Sequence, residues 1–198
     1  MLAEDRETQA ALAALLQEVG QRQKRSLLWV GAGASRWCGY PGWQDFASQL
    51  HSEWSRAGAS YDRVRATAAL EASDFPAVFQ LCSNADEQRY SRRLVETFSP
   101  RPPQPVYQRF VRTLSAFSPL HVVTTNIDEL LEKSVPGAVT IGRFDLERAV
   151  ELVGASSSFV AKIHGSVSDI RSIVFRTLDY QGLVSCKHPG NPVLPPLI

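Results

Sequence analysis

Cysteine, net charge and long apolar runs are all scarce in this 198-residue chain, and each scarcity excludes a class of protein. Cys38, Cys82 and Cys186 form no CxxC pair, so they supply neither a disulfide framework nor a four-sulfur zinc site. A formal net charge of +1 gives no long-range field toward nucleic acid or an anionic membrane. No run of about 18 apolar residues occurs, and the charged N-terminus has no signal-peptide core. We therefore expect a soluble cytoplasmic protein with no metal and no membrane association.

Short apolar runs alternate with helical patterns along the chain. Leu12, Leu15, Leu16 and Val19 predict an amphipathic helix in the N-terminal residues 1–22, from about residue 4. The first apolar run ends abruptly at a glycine and is typical of a strand that is buried on both faces. Helices are also expected at 127–134 and 144–153. The predicted strands are 26–30 (SLLWV), 120–125 (LHVVTT) and 158–163 (SFVAKI), with weaker candidates at 138–141 (AVTI) and 172–175 (SIVF).

Residues of about 44–118 are helical in pattern, with breaks at Gly58, Pro76 and the proline cluster 100–105. We interpret this region as a helical insertion within a single domain that spans residues 1–198. A chain of this length can bury roughly 70% of its unfolded surface, which is enough for a core. Strands that alternate with helices predict an α/β fold with a doubly wound, Rossmann-like parallel sheet. The proline-rich residues 185–198 are predicted to form an irregular tail.

Polar residues follow three of the predicted strands. Gly31 and Gly33 would let a phosphate group approach the backbone amides closely. Each motif also has a simpler interpretation: a tight turn without a ligand, a helix capped by Asn126 or Asp128, and a packed or solvated histidine. Because the ligand crevice of a parallel sheet lies at the carboxyl ends of its strands, we predict one site there for a phosphate-bearing ligand. The three motifs are 31–35 (GAGAS), 124–128 (TTNID) and 162–165 (KIHG).

Together with residues 39–44 (GYPGWQ), these motifs resemble the sirtuin-like NAD-binding domain in order and spacing. The resemblance covers about 26–184, and residues 173–180 (IVFRTLDY) with Leu183 are similar to bacterial sirtuin-like domains of defence proteins. The chain departs from the deacylases of this family, which carry a four-cysteine zinc ribbon. Gly42, Gln44 and Thr125 also replace the Asp, Arg and Gln of the deacylase motifs. These departures favour the NAD hydrolases of bacterial antiphage systems.

The resemblance implies a role for each matching residue, with NAD as the substrate. Asn126 would hold the ribose and a water molecule, and His164 would be the catalytic base. Trp43 would close over the nicotinamide, or would be a core aromatic on the face of Phe46 and Leu50. The implied cofactor-binding set is Gly31, Ala32, Gly33 and Ser35 around pyrophosphate and ribose, Pro41 and Trp43 over the nicotinamide end, Ile127 and Asp128 at the carboxamide, and Thr125, Asn126, His164 and Gly165.

The function implied is hydrolysis of NAD to nicotinamide and ADP-ribose by the effector of an antiphage defence protein. An NAD or ADP-ribose sensor module without catalysis and a protein deacylase are the alternatives. Expected partners are NAD, a sensor domain or partner protein, and further copies of the chain. Arginines between residues 89 and 112 alternate with acidic residues, so we interpret them as solvated helix faces rather than a nucleic-acid site. The resemblance places a further helix and an adenosine-binding strand where residues 185–198 stand, so we expect a chain that is truncated, shifted or excised from a larger protein.

Overall fold

The computed structural model describes residues 26–57 and 60–184, together with Ala14 and Gln17, which are helical. The rest of the predicted N-terminal helix in 1–22, the break at Gly58 and the tail 185–198 lie outside the described residues. Within the described part, no helix is long and apolar enough to cross a membrane.

One sheet of four short strands organises the fold. The order across the sheet is β1-β2-β4-β3, and every neighbouring pair is parallel. Parallel neighbours require crossover connections, which helices supply on both faces. The predicted α/β class with a Rossmann-like parallel sheet is therefore confirmed. The strands are β1 (Leu27–Val30), β2 (His121–Thr124), β3 (Val139–Gly142) and β4 (Phe159–Lys162).

Helices fill most of the chain between β1 and β2. Asp62, Asp74 and Asp86 precede three of them, and each carboxylate accepts a hydrogen bond from the amide three residues later. Pro76 and Pro105 lie in first turns, where a missing N–H breaks no helical hydrogen bond. The helices of this region are α1 (Ala32–Arg36), α2 (Trp43–Ala57), α3 (Arg63–Glu71), α4 (Phe75–Ala85), α5 (Glu87–Phe98) and α6 (Pro105–Leu114).

The later helices are shorter than the patterns predicted. The helix expected at 127–134 begins only at Leu130, because the residues before it form the turn that follows β2. The helix expected at 144–153 is divided into a 3-10 turn, Arg143–Asp145, and a helix that starts at Arg148. These elements are α7 (Leu130–Ser134), α8 (Arg148–Gly154) and α9 (Thr177–Val184).

The two faces of the sheet are covered differently. Val30, Val122 and Val160 point into a large core that the helices between β1 and β2 complete. On the opposite face α8 covers a smaller cluster around Ile141 and Phe159. The sheet thus separates an extensive helical core from a thin second layer.

Two predictions about strands are wrong. Leu27 and Trp29 are 50% and 63% exposed, so β1 is not buried on both faces. It is the edge strand of the described sheet, and α8 covers the β3 and β4 side instead. Residues 172–175 form no strand either: Ser172 closes a 3-10 turn, and Phe175 is buried by stacking on Phe79 at 5.4 Å between ring centroids. An apolar run indicates burial, and burial here comes from helices rather than from strand pairing.

Candidate functional site

The carboxyl end of β2 is fixed to the strands on both of its sides. The Thr124 hydroxyl donates to the carbonyl of Val30 on β1 at 2.7 Å. The Ile163 amide, just after β4, donates to the Thr124 carbonyl at 3.1 Å. The Thr124 hydroxyl also accepts a hydrogen bond from the Asn126 amide at 3.0 Å. These bonds bring the predicted motifs after β1, β2 and β4 to one edge of the sheet.

Asn126 is held in a single orientation at this edge. Its Nδ2 donates to the Gly31 carbonyl at 3.1 Å and to Ser35 Oγ at 2.9 Å, so both amide hydrogens have partners. The Oδ1 atom is buried and has no hydrogen-bond partner. An unpaired buried carbonyl costs about 1–3 kcal/mol, which makes this oxygen a ready acceptor for a ligand or a water.

Asp128 follows in the same turn and bonds to the start of α7. Its buried carboxylate accepts from the Leu130 amide at 3.1 Å through Oδ1, whereas the N-cap position of α7 is Glu129, whose side chain makes no capping bond. Asn126 makes no such bond, because its side chain faces Gly31 and Ser35. The role of Asp128 toward a carboxamide stays a prediction.

A cavity of about 20 Å³ lies beside Asn126. That volume accommodates about one water molecule, whereas pockets for larger ligands measure hundreds of Å³. Eight residues of the predicted set line it: Ala32, Ser35, Pro41, Trp43, Thr125, Asn126, Ile127 and Asp128. Four aromatic residues outside the predicted cofactor-binding set line the rest: Tyr40, Phe46, Phe98 and Phe175.

The three glycines of the predicted site differ in whether the fold requires glycine at that position. A Cβ atom on Gly31 or Gly33 would meet nothing within 4 Å, and neither residue has a positive φ. Gly165 has φ +80°, and a Cβ there would come within 2.2 Å of the Ser172 carbonyl oxygen. The fold therefore requires glycine at 165, whereas Gly31 and Gly33 leave open space beside the turn after β1.

His164 stands between two aromatic rings just after β4. Its ring centroid is 6.2 Å from that of Trp43 and 5.7 Å from that of Tyr180, and its Nδ1 is buried without a partner. Burial, with a smaller contribution from the charge of Arg143, lowers the pKa of His164 from 6.5 to about 4. The imidazole is therefore neutral at pH 7 and can accept a proton.

Trp43 packs as a core aromatic, which one of its two interpretations predicts, and its closure over a nicotinamide stays a prediction. Its ring packs against Phe79 and Phe175 in the core, at 5.7 and 5.0 Å between centroids. The same ring lines the cavity and neighbours His164. Burial in the core thus fixes an aromatic surface beside the predicted catalytic residues.

The segment before Trp43 is anchored to the linker between α5 and α6. Arg101 Nη1 donates to the Gly39 carbonyl at 2.6 Å, and the Arg101 amide donates to Tyr40 Oη at 3.0 Å. The Tyr40 hydroxyl donates in turn to the Ser99 carbonyl at 3.0 Å. Since Tyr40 and Pro41 line the cavity, these bonds hold one of its walls in place.

Sequence reasoning missed several residues around the site. Tyr40 lies within the motif 39–44, and Phe175 and Tyr180 lie within 173–180, so both motifs contained a signal. No sequence motif indicated Phe98 or Arg143. Phe98 ends α5 and Arg143 follows β3, and only the fold brings them to this edge. Within residues 26–57 and 60–184, no group of three or more His, Cys, Asp or Glu side chains is placed to hold a metal ion.

The segment from β2 to α9 carries the turn of Asn126 and the histidine motif. Residues 120–194 match the family model of the SIR2-like domain. This match supports a sirtuin-like domain and an NAD-related function in that part of the chain. It includes residues 124–128 and 162–165 but not the glycine turn 31–35. No curated protein matches the chain.

Proposed function

We propose that the chain binds NAD⁺ at this edge of the sheet and hydrolyses it to nicotinamide and ADP-ribose. The observation that carries the proposal is the Asn126 side chain. Two hydrogen bonds fix its amide, its Oδ1 is buried without a partner, and the residue lines a cavity that accommodates about one water molecule. A fixed acceptor beside such a cavity suits the positioning of a water or a ribose hydroxyl for attack.

The leaving group of this reaction needs no proton from the protein. When the bond from ribose C1′ to the nicotinamide nitrogen breaks, the electron pair neutralises the pyridinium, so no general acid is needed. Water forms the new bond to C1′ and loses one proton. His164 accepts that proton, while Asn126 Oδ1 orients the water through a hydrogen bond. Reactions of this kind pass through an oxocarbenium-like state, which benefits from a site closed to bulk water.

A neutral His164 is consistent with this mechanism. A protonated imidazole beside the site would repel the cationic nicotinamide ring and the positive charge that develops on the ribose. The pKa of about 4 keeps the ring uncharged at neutral pH. Burial therefore prepares a proton acceptor that does not oppose substrate binding.

Entry of a dinucleotide requires the site to open. A cavity of about 20 Å³ is far smaller than NAD⁺, and the wall formed by Tyr40 and Pro41 belongs to a short segment with Gly39 at φ +82°. On the other side, Gly31 and Gly33 present backbone beside open space, where a pyrophosphate can approach. We propose that this turn, with Ala32 and Ser35, holds the phosphates and that movement of residues 39–43 admits the nicotinamide end.

The second candidate is a module that binds NAD or ADP-ribose without cleaving it. The low pKa of His164 favours this alternative, because an acceptor with a pKa of about 4 is a weak base. Protein deacylation is a weaker third candidate, since the three cysteines of the chain form no zinc-ribbon pair.

The biological setting is a proposal that the resemblance alone supports. We propose that the chain acts in the cytoplasm as the effector of a bacterial antiphage defence protein that consumes NAD. A sensor domain, a partner protein or assembly with further copies would switch it on. Comparing NAD consumption by the intact gene product with that by this chain tests the need for such a partner.

Turnover of a fluorescent etheno-NAD analogue tests the proposed reaction. Asn126→Ala and His164→Ala should each lower the rate by roughly 10²- to 10⁴-fold. Asn84→Ala removes the same side chain from an exposed position on α4 and should leave the rate unchanged. An unchanged rate in either site variant would remove that residue from the mechanism, and binding without nicotinamide release would favour the sensor module.

A further inference from the structure

Lys162 is a buried charged side chain for which the proposed hydrolysis has no use. It lies at the end of β4, two residues before His164, and only 2% of its side chain is exposed. Its Nζ lies 2.6 Å from Glu132 Oε1 on α7 and donates to the carbonyl oxygen of Asp128 at 2.5 Å. The lysine therefore joins the strand of the predicted base to the turn of Asn126.

Stability alone does not account for this pair. Removing two charges from water costs energy that their attraction only partly restores, and apolar residues of similar size serve a core as well or better. Glu132 Oε2 stays buried without a partner, and burial raises the pKa of Glu132 against the opposing effect of Lys162. An arrangement this costly indicates a requirement for the geometry that it fixes.

The geometry concerns the two residues proposed for catalysis. Three hydrogen bonds tie the turn after β2 to the segment around His164. The Ile163 amide donates to the Thr124 carbonyl at 3.1 Å, and the Val167 amide donates to the Ile127 carbonyl at 2.8 Å. The third is the bond from Lys162 to the Asp128 carbonyl. Asp128 follows Asn126 in the chain, whereas Thr124 precedes it. The turn is thus held before and after Asn126.

We propose that Lys162, oriented by Glu132, is a positioning residue that fixes the Asn126 turn relative to His164. The inference rests on the proposed function for its effect on turnover. Its effect on the turn itself does not depend on any reaction.

Two variants and a matched control separate positioning from folding. Lys162→Met leaves the Glu132 carboxylate buried without its cation and risks loss of the fold. Lys162→Met combined with Glu132→Leu removes both charges at similar volume and should keep a melting temperature close to that of the parent chain. Lys133→Met is the control: it removes an exposed lysine of α7 whose Nζ pairs with the Glu129 carboxylate at 2.7 Å.

Amide hydrogen exchange and NAD turnover are then measured on the same proteins. In the double variant, amides of residues 126–130 should exchange at least about tenfold faster, because the turn has lost one of the three hydrogen bonds that hold it. The kcat for NAD should fall by about 10²-fold with little change in KM, since a displacement of about 1 Å has effects of that size. The Lys133→Met control should match the parent chain in both measurements.

Hydrogen exchange decides the inference even if the proposed reaction is wrong. Unchanged exchange in a folded double variant would overturn it, whatever the activity. Faster exchange with undiminished kcat would also overturn it, because the turn would then be mobile without consequence. If the parent chain binds but does not cleave NAD, the proposed function fails, and faster exchange in the double variant still supports Lys162 as the anchor of the turn.

Discussion

The two walls of the cavity differ in composition: one consists of packed aromatic rings, and the other contains a buried polar atom without a hydrogen-bond partner. Phe46, Phe98 and Phe175 form an aromatic wall with ring centroids 5.2 to 6.5 Å apart, and all three rings are buried. The strand-end wall contains Asn126, whose Oδ1 is buried without a partner. His164, which neighbours the cavity residue Trp43, has a buried Nδ1 without a partner as well. Packed rings contribute stability, whereas unpaired buried atoms subtract from it. The helical region thus supports the site, and we expect the strand ends to supply its chemistry.

Unpaired atoms in the helical region differ in kind from those at the strand ends. Ser55 Oγ on α2 and Tyr90 Oη on α5 are also buried without partners, but neither residue lines the cavity. The amide of Asn126 is fixed by Gly31 and Ser35, so its free oxygen cannot find another partner by rotation. Fixed and unsatisfied groups at the carboxyl ends of parallel strands are typical of ligand sites.

Removing an aromatic ring should have the largest effect on stability. Phe175→Ala should lower the free energy of unfolding by about 3–5 kcal/mol, because the ring is buried against Phe79 and Phe98. Phe144→Ala removes a ring that is 57% exposed and stacked by Arg143, and should cost no more than about 1 kcal/mol. Denaturant titration measures both. Equal losses in the two variants would contradict the assignment of stability to the aromatic wall.

The pH profile tests the strand-end wall. With the pKa of His164 near 4, kcat/KM should be level from about pH 6 to pH 8 and should fall about tenfold per pH unit below pH 4. Arg143→Gln should move this fall to higher pH, because the Arg143 charge lowers the pKa. Initial rates from pH 3.5 to 8 measure the profile. A fall centred near 6.5 would mean that the imidazole is solvated.

The same protonation should weaken the fold. Between pH 6.5 and about 4 the unfolded chain binds the His164 proton and the native chain does not. His164 therefore does not lower the free energy of unfolding above pH 6.5, and it lowers that free energy progressively as the pH falls from 6.5 toward 4. Melting curves alongside the rates show whether lost activity reflects the base or unfolding.

Gly33→Ala should separate stability from binding. The new methyl group meets no protein atom and lies within α1, so the free energy of unfolding should rise by about 0.4–1 kcal/mol. NAD affinity should fall by about tenfold, because the methyl group occupies the space proposed for the phosphates. Gly154→Ala, with equally open surroundings at the end of α8, is the control for calorimetry. Undiminished affinity in Gly33→Ala would place the phosphates elsewhere.

Arg101→Ala should have the smallest effect. It removes the bond to the Gly39 carbonyl and the cation stacked 4.8 Å from the Tyr40 ring centroid, while the backbone amide still bonds Tyr40. Looser anchoring of residues 39–43 should change KM by about two- to fivefold at a cost near 1 kcal/mol in stability. Steady-state kinetics with melting curves measure both. An unchanged KM would mean that the segment does not limit access.

The polar half of the site was predictable from the sequence, and the aromatic half largely was not. The turns that contain Gly31, Asn126 and His164 could be predicted, because each follows an apolar run that stops at polar residues. Parallel topology then aligns the ends of these strands. Phe98 and Phe175 lie on distant parts of the chain, and no pattern indicates that their rings meet. The run 172–175 indicated burial correctly and pairing wrongly, since apolar periodicity does not distinguish a helical neighbour from a strand. Lys162 stood within a motif, but only the fold shows its partners.

Release of nicotinamide from saturating NAD⁺ in a single turnover tests the central claim most directly. The parent chain, together with any partner it requires, should release one nicotinamide per site. Asn126→Ala should bind NAD and release nicotinamide at least about 10²-fold more slowly. Bound NAD that stays intact in the parent chain, or equal release by Asn126→Ala, would contradict the claim that the strand ends supply the chemistry.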